Sequence, residues 1–416
     1  MSKVLLIAYH FPPLSGGGVF RTLKFTKYLP EFGYQPYVLT VKNSMNRTKD
    51  PTLTIEIPPE AKIYRTFSCE HRIIRAPRRL GVNLKWFCIP DENVGWLPFA
   101  VRQGEKIIKK ENIDILYATA PIFTSFLIGF LLKKKNGKPL VLDYRDPWTQ
   151  NAFIKYPTEL HRKIEEKMET LALATADHVI VTAEPMKRRL FEKYPFVKGK
   201  VNTITNGFDS EDFKNLTAKR DKEKFTITYT GNLYGLRTGK QFFTALKELF
   251  EEKPELQTKI QVLFAGLPGR KAASLVKEFG LQNVVKLLGY QSYKETLRLM
   301  VNADVLLLIM SSDEVTDEKT GPLTIPLKLF EYLGAKRPIL AIAPLGKATD
   351  IINSTKTGVV VSPQNTAVIA QVIFKLFQDW KSGTLKVEEG DISEYERKKL
   401  TYKLANVFQQ VQDNKT

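Results

Sequence analysis

Lys328 and Glu331 stand three residues apart in the stretch from Thr320 to Ala341. On a helix that spacing puts them on one face. A cation and a carboxylate so placed can hold a phosphate and a pair of ribose hydroxyls. The competing reading is a surface ion pair, which is worth little. Gly16, Gly17 and Gly18 follow the apolar run Val4 to Ala8. Without Cβ atoms such a turn lets the backbone approach a ligand, and a helix starting there favours negative charge; a plain tight turn is the alternative. The spacing is not G-x-G-x-x-G, and no acid closes the second strand to hold a ribose, which argues against a nicotinamide enzyme.

Two further groups carry polar chemistry in the first half. Asp143-Tyr144-Arg145-Asp146-Pro147-Trp148 lies at a predicted strand end. Asp143 and Arg145 read as a structural ion pair, and Asp146 and Trp148 alternatively as a subsite for a sugar, because sugars stack on aromatic rings. His10 follows the first strand and reads either as a ligand contact or as a structural residue. The segment Arg65 to Phe87 mixes Arg65, Arg72, Arg75, Arg78, Arg79 and Lys85 with Ile73, Ile74, Trp86 and Phe87. That mixture suits an anionic membrane surface and equally a solvated charged face.

The elements that must position these residues alternate in kind. The apolar run Val4–Ala8, a helix over 20–29 and the apolar run Tyr37–Val41 form a βαβ unit. Strands at 113–118, 139–143 and 178–182 alternate with helices at 123–133 and 159–175. A second series places strands at 225–230, 260–265, 284–288, 304–310 and 339–342. Its helices fall at 239–252, 271–279, 293–302, 327–334 and 366–380. Two consecutive βα series predict an α/β chain of two doubly wound Rossmann-like domains facing a cleft, with ligands at the carboxyl ends of the strands. The first domain is assigned to residues 1–205 and the second to 206–389, with a terminal helix in 390–416 packing back on the first. Residues 44–95 break the rhythm and read as a loop-and-helix insertion.

Composition bounds the function. A chain of 416 residues, 43% hydrophobic and 26% charged, can fill two cores. Two cysteines, Cys69 and Cys88, are too few for a disulfide framework or a four-ligand zinc site, and reduced thiols point to the cytoplasm. No run reaches the roughly 20 apolar residues of a spanning helix. The net charge of +19 is uneven: residues 1–200 carry 33 Lys and Arg against 19 Asp and Glu. This favours an acidic partner for the first half, with the inner membrane face as one candidate. No recognised nucleic-acid motif accompanies the charge, so no nucleic-acid partner is expected.

In order, Val4-Leu5-Leu6-Ile7 with the triple glycine, Asn206-Gly207-Phe208-Asp209, Thr230-Gly231-Asn232-Leu233, Phe264-Ala265-Gly266, Leu288-Gly289-Tyr290 and Lys328 to Pro338 resemble the retaining GT-B glycosyltransferases. That family includes sucrose synthase-like and bacterial mannosyltransferase-like enzymes. The resemblance spans essentially the whole chain, and the block from Lys328 to Pro338 is its most specific part. It implies that Glu331 holds the donor ribose, that the loop at Tyr290 lies along the nucleobase, and that Gly16, Gly17 and Gly18 approach the diphosphate and sugar. Asn232, Gly266, Thr320 and Gly321 complete the implied donor set, and His10, Asp146 and Trp148 are the candidates for the acceptor side, with His10 also able to touch the donor. Cations neutralise the leaving diphosphate without a metal, and Arg237 and Lys328 are the candidates. The chain has no Asp-x-Asp, and no cofactor is implied beyond the nucleotide-sugar co-substrate.

The departures are specific. Leu323 stands where the family often has a second Glu, and Asn232 and Thr238 stand where it has a cationic pair. The implied function is transfer of a sugar, with retention, to a glycan or lipid-linked acceptor in cell-surface polysaccharide or glycolipid synthesis. The alternative is a non-catalytic GT-B subunit that binds nucleotide or glycan and supports a partner enzyme.

Overall fold

The computed structural model describes residues 1–416 except 43, 45–47, 71–85, 87, 152–153, 155, 234–237, 311–322, 389 and 415–416. The chain divides into two units, Met1–Asn206 with Arg397–Thr416, and Gly207–Glu396.

The first unit runs β1 (Ser2–Ile7), α1 (Gly17–Tyr28), β2 (Tyr34–Val41), β3 (Lys62–Thr66), α2 (Leu97–Glu111), β4 (Ile115–Thr119), α3 (Thr124–Asn136), β5 (Leu140–Tyr144), α4 (Glu159–Thr175), β6 (His178–Val181), α5 (Glu184–Lys193) and β7 (Val201–Thr203). The strands form one parallel sheet in the order β3-β2-β1-β4-β5-β6-β7. Its central strands are unbroken apolar runs because helices cover both faces; Val4 to Ile7 and Leu140 to Leu142 are fully buried. Helix α4 has the bounds its sequence predicts, opened by Thr158, whose hydroxyl accepts the His161 N–H.

The second unit runs β8 (Phe225–Thr230), α6 (Lys240–Glu252), β9 (Ile260–Ala265), α7 (Gly269–Glu278), β10 (Val285–Gly289), α8 (Tyr293–Asn302), β11 (Val305–Ile309), α9 (Leu327–Ala335), β12 (Ile339–Ile342), α10 (Lys347–Ser354), β13 (Gly358–Val361) and α11 (Thr366–Lys381). Its parallel sheet has the order β10-β9-β8-β11-β12-β13. Phe225, Phe243, Phe264, Leu307 and Phe377 belong to its core. The chain then closes with α12 (Arg397–Asp413) in the first unit. There Phe408 packs edge-on to Tyr34 and Tyr117, with ring centroids 5.3 and 6.0 Å apart.

Counted within each unit, both sheets carry the 3-2-1-4-5-6 order of the doubly wound fold. The order reverses between β1 and β4 and between β8 and β11, and ligands of such sheets bind outside the carboxyl ends of the strands at that reversal. Three differences from the sequence pattern bear on the site. Helix α1 begins at Gly17, inside the triple glycine, rather than after it. Strand β3 extends the first sheet from within residues 44–95, which read as loop and helix. Strands β7 and β13 add sheet edges that the apolar pattern does not announce.

Candidate functional site

In the first unit the carboxyl ends of β1, β4 and β5 are joined by charge. Arg21, in the second turn of α1, is fully buried and pairs with fully buried Asp143 at 2.9 Å. Its Nε donates to both Asp143 oxygens, while Nη1 and Nη2 donate to the Thr205 and Ile204 carbonyls. Asp143 also accepts from the Tyr117 and Thr119 hydroxyls at 2.6 and 2.8 Å. Burial alone would raise the Asp143 pKa; the Arg21 charge and these hydrogen bonds outweigh it and hold the carboxyl below its ordinary value. Burial and the neighbouring carboxylate push the Tyr117 hydroxyl well above its ordinary value.

The expected Asp143–Arg145 pair is therefore corrected: the partner of Asp143 is Arg21. The two-residue spacing suggests the wrong cation because β5 ends at Tyr144 and α1 brings in Arg21 from 122 residues away. Arg145 instead donates to the Gly18 and Gly17 carbonyls at 2.6 and 2.7 Å. Trp148 is also corrected. It is fully buried, stacks on Phe123 with centroids 4.7 Å apart, and donates its Nε1 hydrogen to Glu165 at 2.9 Å. A ring enclosed in the core offers no face to a sugar. Asp146 is half-buried, and Gly16 and Gly17 are exposed. His10 is buried with its ring against Gly18, where an added Cβ would lie 2.3 Å from Nδ1. Tyr9, His10, Thr119, Pro121 and Arg145 share one small depression with Gly18 at the reversal of the first sheet.

In the second unit the same place is finished by backbone and one hydroxyl. The Gly231 N–H donates to the Ala265 carbonyl, and the Gly266 N–H to the Gly289 carbonyl, each at 2.7 Å. Gly266 has φ +138°, and a Cβ there would lie 2.3 Å from the Gly231 carbonyl oxygen, so only glycine fits. Asn232 is exposed, and its Oδ1 accepts the Leu267 N–H at 2.9 Å, which ties the loops after β8 and β9. Tyr290, after β10, is exposed beside that pair of loops.

Lys328 lies in the first turn of α9, with Nζ 3.8 Å from the centroid of the Tyr229 ring. An added Cβ on Gly231 would meet that Nζ at 2.9 Å. A cation in a first turn opposes the helix dipole, and the aromatic face offsets part of that cost. Glu331, one turn on, is half-buried. Tyr332 follows it and is fully buried. Its hydroxyl accepts the Thr230 N–H at 2.9 Å and donates to the Leu307 carbonyl at 3.1 Å. Burial is the main reason its pKa is raised.

Arg237, Thr320 and Gly321 lie outside the described residues, as do Arg72 to Lys85 and Phe87 of the basic segment. Arg65 is exposed and donates to the Pro12 carbonyl, and Trp86 is half exposed. Leu323 is buried, so an apolar side chain fills the place of the missing acid. Arg21 and Tyr332 are not among the residues that the sequence singles out. Their signals are weak: one cation in a helix that also carries Lys24 and Lys27, and a tyrosine four residues after Lys328 on the same face. No helix among the described residues is long and apolar enough to cross a membrane.

Residues 15–212 match the model of Glycosyltransferase Family 4, and residues 210–398 that of Glycosyl transferases group 1. No curated protein matches the sequence significantly. Among solved structures, sucrose-phosphate synthase from Thermosynechococcus elongatus is similar at a TM-score of 0.70 and 16% identity, over 100% of both chains. A mutant of S. aureus TarM, in complex with fondaparinux, alpha-GlcNAc-glycerol and UDP, is similar at 0.65 and 12%, over 98% of this chain and 100% of that one. A UDP-N-acetylglucosamine 2-epimerase is similar at 0.56 and 13%, over 98% and 96%. At these identities the likeness is one of fold.

Proposed function

We propose that this chain, which belongs to the GT-B glycosyltransferases and so transfers a sugar from a nucleotide-sugar donor, does so with retention and without a metal. The acceptor in this reading is a glycan or a lipid-linked sugar of a cell-surface polysaccharide or glycolipid. The observation that carries it is Lys328, a cation stationed over Tyr229 and beside Gly231 at the reversal of the second sheet. The helix dipole disfavours a positive charge in the first turn of α9; an anionic ligand group would offset that cost.

The chemistry follows from that placement. Glu331 accepts hydrogen bonds from the donor ribose hydroxyls, and Lys328 stabilises charge that grows on the leaving diphosphate. The bond from the anomeric carbon to the phosphate oxygen breaks, and a bond to the acceptor oxygen forms on the same face. The departing phosphate takes the acceptor proton, so no side-chain base is needed. Fixed positive charge where the leaving group becomes more negative supplies most of the acceleration. His10 and Asp146 stay assigned to the acceptor side.

Glu331→Ala is expected to lower kcat/KM for the nucleotide sugar by about 100-fold or more, since hydrogen bonds to a charged group are lost, with the fold intact by circular dichroism. Unchanged turnover sinks the donor-site assignment. The second reading, a non-catalytic subunit supporting a partner enzyme, draws on buried Leu323 in place of an acid. Release of nucleoside diphosphate by the wild-type chain with acceptor and a donor panel separates the two; binding without release favours the subunit.

A further inference from the structure

Arg145 holds an unusual position for a cation. The carboxylate two residues before it is hydrogen-bonded to Arg21, Tyr117 and Thr119, and Arg145 makes no ion pair among the described residues, although Asp143 and Asp146 attract it at longer range. Its Nη1 and Nη2 donate to the Gly18 and Gly17 carbonyls. Its Nε is buried without a hydrogen-bond partner among the described residues. The residue is half-buried; burial disfavours its charge while the nearby Asp143 and Asp146 favour it, and Arg stays charged. The two acceptors it does have are carbonyls of the triple glycine, the one run of three glycines in the chain.

The opposite flank of the turn is also occupied. The His10 ring lies so close to Gly18 that a Cβ there would overlap Nδ1. Gly16 takes φ +105°, a backbone region that favours glycine. Left to itself such a turn has more conformational freedom than any other three residues could have. Here Arg145 ties down two of its carbonyls, and α1 starts at Gly17, so the first N–H groups of the helix, which have no intrahelical acceptors, take one geometry. A planar fork can hold two carbonyls at once, whereas an ammonium is a point charge on a flexible stem.

We propose that Arg145 is a positioning residue of the transfer reaction: it fixes the triple-glycine turn, and so the amino end of α1, for the transferred sugar and its leaving phosphate. The assignment rests on the reading that the chain transfers a sugar from a nucleotide sugar. It differs from a structural role in what it predicts. The Arg21–Asp143 pair already joins α1 to β5, so loss of Arg145 should loosen the turn without unfolding the unit.

The full chain is compared with Arg145→Lys and Arg145→Met in three measurements: thermal midpoint, amide hydrogen exchange over residues 19–22, whose N–H groups bond to the carbonyls of the turn, and kcat and KM for the nucleotide sugar. Arg145→Met should remain folded, exchange faster over 19–22, and lose about 100-fold in kcat with a much smaller change in KM. Arg145→Lys should show the same changes to a smaller degree. Unchanged exchange over 19–22, or faster exchange with kcat within a few-fold of wild type, overturns the proposal. Should Arg145→Met not fold, Arg145→Lys decides by the same criteria. A wild-type chain that turns over no nucleotide sugar brings down the proposed function instead; Arg145 then stands as the clamp of the turn only if exchange over 19–22 still rises in Arg145→Lys.

Discussion

The two units finish the same strand order in different ways. At its reversal point the first unit is held by ions: Arg21 and Asp143 form a buried pair, and Arg145 grips the glycine turn. At the corresponding point the second unit is held by neutral groups. Strands β8 and β11 are in register only at Ile227–Val305 and Thr228–Leu306, and beyond that the Tyr332 hydroxyl stands between the Thr230 N–H and the Leu307 carbonyl. Close glycine contacts then stitch the loops after β8, β9 and β10. The cation of the second unit, Lys328, lies over an aromatic ring at the start of a helix instead of bridging two strands. The contrast teaches that topology dictates where a site forms, while local chemistry decides whether charge or neutral groups hold it together.

Breaking the ionic side should cost most. Asp143→Asn leaves Arg21 buried without its counter-ion and weakens acceptance from Tyr117 and Thr119. Removing one partner of a buried pair costs about 3–5 kcal/mol. Because two units need not unfold together, urea unfolding should be read with hydrogen exchange. Protection is expected to fall over α1 and β7 and to stay unchanged over β8 to β13. A loss below about 1 kcal/mol would mean the pair behaves like a surface bridge, and the contrast between the units would fail.

The neutral side should yield less. Tyr332→Phe keeps the ring in its core and removes only the hydroxyl, leaving the Thr230 N–H and Leu307 carbonyl, both buried, without that partner. About 1–3 kcal/mol is expected, confined to the second unit by exchange of the Thr230 amide. Because Tyr332 adjoins Glu331 and lies one turn from Lys328, the KM for the nucleotide sugar should rise several-fold more than kcat falls. A lower thermal midpoint with unaltered KM would show that the hydroxyl braces the sheet and nothing more.

The sequence discloses the parts of this arrangement that local pattern controls. Phe225–Thr230, Ile260–Ala265 and Ile339–Ile342 are strands with the predicted bounds, because buried parallel strands are written as uninterrupted apolar runs. Edge strands are not legible: Lys62–Thr66 is half exposed with two cations among five residues, and Val201–Thr203 is three residues long, as edges often are. Helix 97–111 escapes the pattern in the same region, where neighbouring loops break the rhythm. In the site, Lys328 and Glu331 stand out because their spacing is local. The partner of Asp143 does not, since only the fold of β1–α1 against β5 brings Arg21 to it. Trp148 shows the converse: an aromatic ring beside polar residues reads as a sugar platform until packing against Phe123 removes it from solvent.

The smallest effect gives the sharpest comparison, because it has opposite signs in the two units. Asp143 has a pKa below the ordinary 3.8 because its pair and hydrogen bonds overcome burial. Its contribution to stability is therefore present above pH 3.8 and is lost as pH falls through the lower folded value. Glu111, held at about 2 by hydrogen bonds from Lys62 and Tyr64, adds in the same sense between its ordinary 4.5 and about 2. In the second unit Asp304 has a raised pKa, since burial outweighs the hydrogen bond from the Thr226 N–H and the charge of Arg220. Its ionisation opposes folding, so stability is highest below pH 3.8 and is lost as pH rises through the raised value. Half-buried Asp91 and buried Glu169 in the first unit also have raised values, so whole-protein acid curves mix the two signs and only single-residue differences separate them. The stability difference between wild type and Asp143→Asn should shrink on acidification below pH 3.8. Asp304→Asn should instead gain on wild type as pH rises above 3.8. Urea unfolding followed by exchange in each unit at a series of acidic pH values measures both slopes, and slopes of equal sign would show that the buried carboxylates of the two units are handled alike.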